Sequence, residues 1–462
     1  MPFNYNSTRL HCNLYSELFL ILETDTAPPP PCFLSQARYN HRMHTHPNLL
    51  FSWITVSATL RDAPEIAALV DAYGDALAEL GGLRRTERDL SAPEPLCFFV
   101  LTGGTEHRVL DLWARRRESH PDAPVYLLAH PGFNALPAAL EALARLHQLD
   151  VPGRVIYLAG PDDTAGLLRL QTALHDLHAR EALRQARIGL VGAPSDWLVA
   201  SSPPAEVVQA TWGPQVIPLT IDAVSAALDA VPDARVAPVV EALTRDAEAI
   251  CEPDAAALHA AARVYVALRH LVDARELDAL TVRCFDLVTE RGTTGCFALA
   301  QLNDEGVIAG CEGDLVTTVA MLWAYRLLGQ LPWMANPARL DPDANTLWLA
   351  HCTVPRTLTQ RYRLRSHFES GVGVGIQGAL RSGPVTLLRL GGVDLRQMWL
   401  AEGHILRDGD AADLCRTQVE VRLVRGHVLD LLKAPLGNHL TLIPGHHADR
   451  LRGWWDTMIA PA

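Results

Sequence analysis

Two carboxylates separated by one glycine, in Cys311-Glu312-Gly313-Asp314, stand immediately before an apolar run, Leu315 to Leu328, with the length of a helix. Carboxylates in that place can cap open amides and complement the positive end of the helix dipole. Two histidines sit in comparable positions: His351 follows the apolar run Leu347 to Ala350, and His439 follows Gly437-Asn438. Singly, each of these residues has a structural reading. Brought together, Glu312, His351 and His439 make an oxygen and nitrogen ligand set suited to a divalent metal such as manganese, which accepts carboxylate, imidazole and water.

Glycine-rich stretches offer less. Gly371-Val-Gly-Val-Gly375 has no following helix of the right length and no P-loop lysine, so it reads as a strand whose glycines let another backbone come close. Thr102-Gly-Gly-Thr-Glu106 lies between strand-like and helix-like runs, where its amides could meet an anionic or polyhydroxyl ligand or simply make a tight turn.

The elements that must position these residues fall into parts. Residues 1–49 mix Asn, Thr and Pro with four histidines, among them His41, His44 and His46, and read as a disordered extension. From residue 50 to 186, apolar strand-length runs alternate with amphipathic stretches: strands over Phe51 to Ala58, Leu96 to Leu101, Val125 to Ala129 and Val155 to Leu158, with helices between them. That alternation predicts a parallel, doubly wound (Rossmann-like) α/β domain. Residues 187–335 repeat it, with strands at Ile188 to Val191, Val216 to Leu219 and Ala279 to Phe285 and a helix over Arg235 to Ala249. From 336 to 462 short runs separated by Gly, Pro and Asp predict a mostly antiparallel β domain, barrel-like in character.

Composition narrows the function. Forty Lys and Arg against 52 Asp and Glu give a net charge of −12, and the longest basic run is Arg115 to Arg117, which argues against a nucleic-acid partner. No apolar stretch is long enough to suggest a membrane span. Nine cysteines without a C-x-x-C pair suit a reducing cytoplasm and read as small buried hydrophobes.

Several motifs together resemble the L-fucose/L-arabinose isomerase superfamily, most closely its fucose-isomerase-like group. They are Leu101 to Glu106, His130 to Glu141, Gly189 to Leu198, Ala309 to Asp314, Leu349 to Thr353 and Gly437 to His439, and the resemblance runs from about Leu50 to the end. It implies two α/β domains followed by a β-barrel-like domain, a homo-oligomer, and interconversion of an aldose and a ketose through an enediol with bound manganese. By position it implies that Glu312 is a metal ligand and candidate general base, with His351 and His439 near the metal. Where catalytic branches carry a second Asp or Glu, this chain has Asn336, which can offer a carbonyl oxygen to a metal but cannot exchange a proton. Asp314 or Asp341 would then supply the second acid/base, or a single base would move the proton alone. The same departure keeps open a sugar-binding or regulatory protein that has lost catalysis.

Other polar residues are candidates for the substrate. His367 and Glu369 can bind sugar hydroxyls or transfer protons, and Trp197 can stack on a sugar face. Arg416 can hold an anionic group through its fork of donors, and the resemblance includes isomerases of sulfonated sugars.

Overall fold

Leu96–Val100 and Val125–Ala129 are buried at every position, so the strands they form need cover on both faces. The computed structural model describes residues 50–58 and 64–459, and supplies that cover. Five parallel strands lie in the order Gly82–Arg84, Phe51–Val56, Leu96–Val100, Val125–Ala129, Gly153–Tyr157. Successive side chains point to opposite faces, so Phe98 joins a core with Val109, Leu112 and Ala139 of the helices Glu106–Arg117 and Ala135–His147. Phe99 joins the opposite core with Tyr73 and Leu77 of Pro64–Glu79 and Leu174 of Thr164–Arg184.

A second parallel sheet follows in the order Ile308–Cys311, Ala279–Val282, Arg187–Val191, Gln215–Leu219. The order reverses beside Arg187–Val191, and in such sheets ligands bind beyond the carboxyl ends of the strands at the reversal. The helix Leu315–Leu328 leaves this sheet almost wholly buried, because it packs on its own sheet, on Thr164–Arg184 and on three strands of the following barrel.

That barrel is closed, with six antiparallel strands in the order Trp333–Asp341, Thr346–His351, Thr417–Arg425, Gln397–Asp408, Gly383–Gly391, Leu440–Pro444. Thr359–Arg365 and Gly375–Leu380 form a side sheet that pairs with Ala249–Ile250 of the central region.

The α/β and barrel classes agree with the sequence reading, but several elements differ. The strand expected over Ala279 to Phe285 stops at Val282, and Cys284 opens a helix to Arg291. The helix expected to reach Ala249 ends at Arg245, since Ala249–Ile250 is taken by the strand Thr359–Arg365. Gly371 to Val374 forms a turn, with the strand beginning at Gly375, and Gly373 (φ 66°) approaches the backbone of Thr294, where a Cβ would lie 2.7 Å from its nitrogen. The Thr102 to Glu106 segment is a strand-to-helix turn tied by Gly103 N to Phe133 O and by Thr105 Oγ1 to Thr102 O. The histidines at 41, 44 and 46 lie outside the described residues.

Candidate active site

Glu312 is the first residue beyond the strand Ile308–Cys311, and its backbone adopts the left-handed region at φ 62°. Gly313 follows at φ 73°, and a Cβ there would lie 2.7 Å from both Ala193 O and Pro194 Cα. Glycine is required because the loop after Arg187–Val191 presses against this turn, and Ser195 N donates to Glu312 O at 2.8 Å. The same loop brings Trp197 Nε1 within 2.5 Å of Glu312 Oε2, as donor. A non-glycine residue at positive φ is strained, and here the strain aims a carboxylate beyond the strand ends.

Asp314 caps the helix Leu315–Leu328 and is wholly buried. It accepts from Thr317 N at 2.8 Å and Thr317 Oγ1 at 2.7 Å, and it lies 2.8 Å from His439 Nδ1 and 3.4 Å from Arg389 Nη1. Arg389, 2% exposed, also donates to His439 O and Leu436 O at 3.2 Å each and to Ser201 Oγ. It passes over Gly437 (φ 143°), where a Cβ would stand 2.0 Å from its Nη2. The Gly437-Asn-His439 motif is thus partly a space requirement of Arg389.

Held by Asp314 through Nδ1, His439 presents Nε2 toward Glu312 Oε1 at 3.5 Å. That separation is an electrostatic contact rather than a formed hydrogen bond, and Nε2 is buried with no hydrogen-bond partner. His351, last residue of its strand, has Nδ1 2.9 Å from Thr353 Oγ1, and its ring centroid is 5.5 Å from that of His439. One ligand atom from each of Glu312, His351 and His439 lies within 4.8 Å of the others. A carboxylate, two imidazoles and a buried, unsatisfied imidazole nitrogen fit a divalent metal, and the Asp314–His439 pair is the outer partner such a ligand needs.

The charges in this cluster control one another. Burial pushes the Glu312 carboxyl up, but the adjoining His439 imidazolium outweighs it and holds the pKa at about 2. Burial and the Arg389 and His439 partners act on Asp314 in the same two senses, with a net lowering. Burial lowers His439, yet Asp314 and Glu312 raise it to about 9, while burial and the His439 charge bring His351 down to about 4.

With chelator present, these shifts fix a pH profile. The raised His439 pKa contributes stability that is complete below the ordinary imidazole value of 6.5 and is lost as pH rises through about 9. The depressed Glu312 pKa contributes stability present above 4.5 and lost as pH falls through about 2. The chelated protein should therefore lose melting temperature from pH 6.5 toward 9, and His439→Gln should flatten that limb. An unchanged alkaline limb in the variant would refute the assignment.

A cavity of about 140 Å³ opens beside the cluster, walled by Glu312, Asn336, His351, His367, Glu369, Phe285 and Phe368. Six residues singled out from sequence therefore gather here: five on the wall, and His439 directly behind Glu312. Four others stand elsewhere. Asp314 is behind His439 and not on the wall. Trp197, 51% exposed, reaches Glu312 from the rim and meets Phe285 edge-on at 5.1 Å. Arg416 is tied to Ser366 O by Nε at 2.7 Å and lies off the wall, though its neighbour Cys415 is on it. Asp341 caps the hairpin turn through Asp343 N and Ala344 N, at the far end of the strand from Asn336.

The sequence reading missed the thiols. Cys284, Cys296, Cys311, Cys352 and Cys415 all line the cavity, all unpaired, and the sulfurs of Cys284 and Cys311 are 3.1 Å apart. A signal was present, since Cys311 and Cys352 adjoin Glu312 and His351. Cys352 lies within hydrogen-bond reach of Cys296 and Cys415, which together hold it well below the usual thiol range. Cys352 is nevertheless buried, so iodoacetamide should modify the exposed Cys251 faster than Cys352. Peptide mapping that finds Cys352 modified as fast as Cys251 would show that the cavity admits the reagent.

Fold and site together define an α/β protein with a closed barrel and a metal-competent carboxylate–histidine cluster at its strand ends. The chain is similar to proteins named sulfoquinovose isomerase: one from Alkalicoccus urumqiensis, 25% identical over 63% of this chain and 66% of that protein, and one from a Clostridium species, 31% identical over 26% of each. A third, from Priestia megaterium, is 24% identical over 39% of this chain and 42% of that protein. The matched stretches thus cover less than two thirds of each relative's length. No family model matches the chain. The similarity points to sugar isomerases of the fucose/arabinose-isomerase kind without selecting a member.

Proposed function

We propose that the protein is a divalent-metal-dependent aldose–ketose isomerase acting on an anionic, sulfonated sugar. The observation that carries the reading is that Glu312, His351 and the orphaned His439 Nε2 come within 4.8 Å of one another beside a cavity that Glu312 and His351 line. The substrate class comes from the relatives named sulfoquinovose isomerase. Glu312, His351, His439 and Asn336 would hold the metal, most suitably manganese, which would polarise adjacent sugar oxygens.

Glu312 is kept ionised by its cationic neighbour and takes the proton from the carbon beside the carbonyl, then returns it to the adjacent carbon. Ligation would require His439 to give up its Nε2 proton, with the charge of the metal taking the place of the imidazolium charge beside Glu312. Asp314 acts through His439 as a positioning residue rather than as the second acid. With Asn336 unable to exchange a proton, His367 is the wall residue assigned to the hydroxyl protons, its Nδ1 occupied by Ser370 Oγ at 3.1 Å. Arg416, next to the wall with Nε engaged by Ser366, would meet the sulfonate at the rim.

A second reading, a sugar-binding protein without turnover, is favoured by Asn336. Sulfoquinovose, L-fucose and L-arabinose incubated with manganese-loaded protein in deuterated water separate the two. Deuterium at the carbon next to the carbonyl, with ketose formed from the sulfonated sugar, supports the isomerase. Saturable sugar binding without incorporation supports the second reading.

A further inference from the structure

A second cavity lies away from Glu312. A space of about 350 Å³ opens at the opposite, amino end of the first sheet, where Leu96 and Val125 begin their strands. Its size lies in the range of small-molecule sites. Its apolar surface comes from Phe98, Trp113, Val125 and Leu177, and its polar wall from Glu94, Arg116, Arg117 and His120 on one side and from His178, Arg180 and Glu181 of the helix Thr164–Arg184 on the other.

Most charged groups on this wall are already satisfied. Arg116 donates to the carbonyls of Leu90, Ala92 and Glu94, and Glu94 is held by Ser52 and Arg85. Arg180 is different. It faces the cavity half-buried and makes no hydrogen bond or ion pair with any described residue, and the nearby Asp122 is bonded to Arg184 at 2.8 Å. Nor is His178 satisfied. One ring nitrogen bonds the backbone of Leu50, while Nε2 is buried with no partner. In the tautomer that donates to Leu50, Nε2 is an acceptor awaiting a donor.

An unpaired guanidinium and an unpaired imidazole acceptor beside an aromatic floor specify the missing partner. We propose that this cavity binds a small organic anion with a flat apolar body and a hydroxyl group. The anionic end lies on Arg180, the hydroxyl donates to His178 Nε2, and the body packs against Phe98 and Trp113. A buried polar group without a partner is costly, and a ligand of this kind recovers that cost on binding. Arg117, over the Trp113 ring at 5.5 Å, adds a second positive charge at the rim. The proposal is independent of the isomerase assignment, since no residue of the Glu312 cluster takes part.

The test uses the whole chain and 4-hydroxybenzoate as probe, followed by Trp113 fluorescence and by calorimetry. One saturable site per chain is expected, with 4-hydroxybenzamide at least about tenfold weaker because it lacks the charge. Arg180→Gln should remove that preference, and His178→Phe should remove the preference for 4-hydroxybenzoate over benzoate. Glu312→Gln should leave the binding unchanged. Arg180→Lys, with charge but no fork, should retain part of it, and keeps the test valid should Arg180→Gln fail to fold. Equal binding of 4-hydroxybenzenesulfonate would still support a charge-based site. Equal binding of acid and amide, an unaffected Arg180→Gln protein, or no binding would overturn the proposal. So would ultracentrifugation showing that the probe binds only when copies of the chain dissociate, since the cavity would then be an interface.

Discussion

Glu312→Gln is expected to lower turnover by roughly three orders of magnitude and to weaken manganese binding, while leaving the chain folded. The amide is isosteric with the carboxylate and can still accept from Trp197 Nε1, so the turn pressed against Ser195 has no reason to move. What disappears is charge. On the proposed mechanism the metal would lose its anionic ligand and the reaction its base. His439 loses one of the two carboxylates that raise its pKa to about 9, so its imidazole should titrate at lower pH in the metal-free variant. Three measurements check this: steady-state rates, manganese titration followed by electron paramagnetic resonance, and the His439 ring shifts against pH. Turnover within tenfold of the parent, with unchanged metal affinity, would exclude Glu312 from both roles.

How much of this was legible in the sequence depends on whether the signal was local. Leu96–Val100 and Val125–Ala129 are continuous apolar runs between helical patterns, so the parallel sheets could be read directly. Trp333–Asp341 could not, because Pro337 and a register shift between Pro337 and Arg339 break the alternation that identifies a strand. Ala249–Ile250 is a strand only because Arg363 and Leu364 lie beside it, which no local pattern reports.

The site divides in the same way. Glu312, His351 and His439 stood out because each follows an apolar strand or a glycine turn. The cavity thiols did not, since five scattered cysteines share a wall only after two strand ends, two helix starts and a barrel loop converge. Asp314 was legible as a residue and not as a role. The Glu-Gly-Asp spacing looks like two equivalent acids, whereas the turn at Gly313 sends the first carboxylate to the cavity and the second beneath His439. Arg389 gave no signal, because an arginine in a strand pattern ordinarily marks the solvent side; its burial is explained only by Asp314, Ser201 and the carbonyls around Gly437.

Asp314→Asn follows from that buried network and should have the largest effect on stability. An asparagine oxygen can still cap Thr317 N, but the amide nitrogen must then face Arg389 or His439 Nδ1, which are donors in this arrangement. Arg389, 2% exposed, would be left without its counter-charge, and breaking a buried pair from one side costs about 3–5 kcal/mol. Metal affinity should fall about 10- to 100-fold, because His439 loses the partner that fixes its tautomer and orientation. Arg389→Met separates the two effects: in the double variant no charge is stranded, so its loss of stability should be smaller than the sum of the two single losses by about 1–3 kcal/mol. Its metal affinity should stay as low as that of Asp314→Asn, because the carboxylate behind His439 is still missing. Additive stabilities in denaturant titrations would mean that Arg389 and Asp314 do not act as a pair. Recovery of metal affinity in the double variant would mean that Asp314 serves the barrel rather than the metal site.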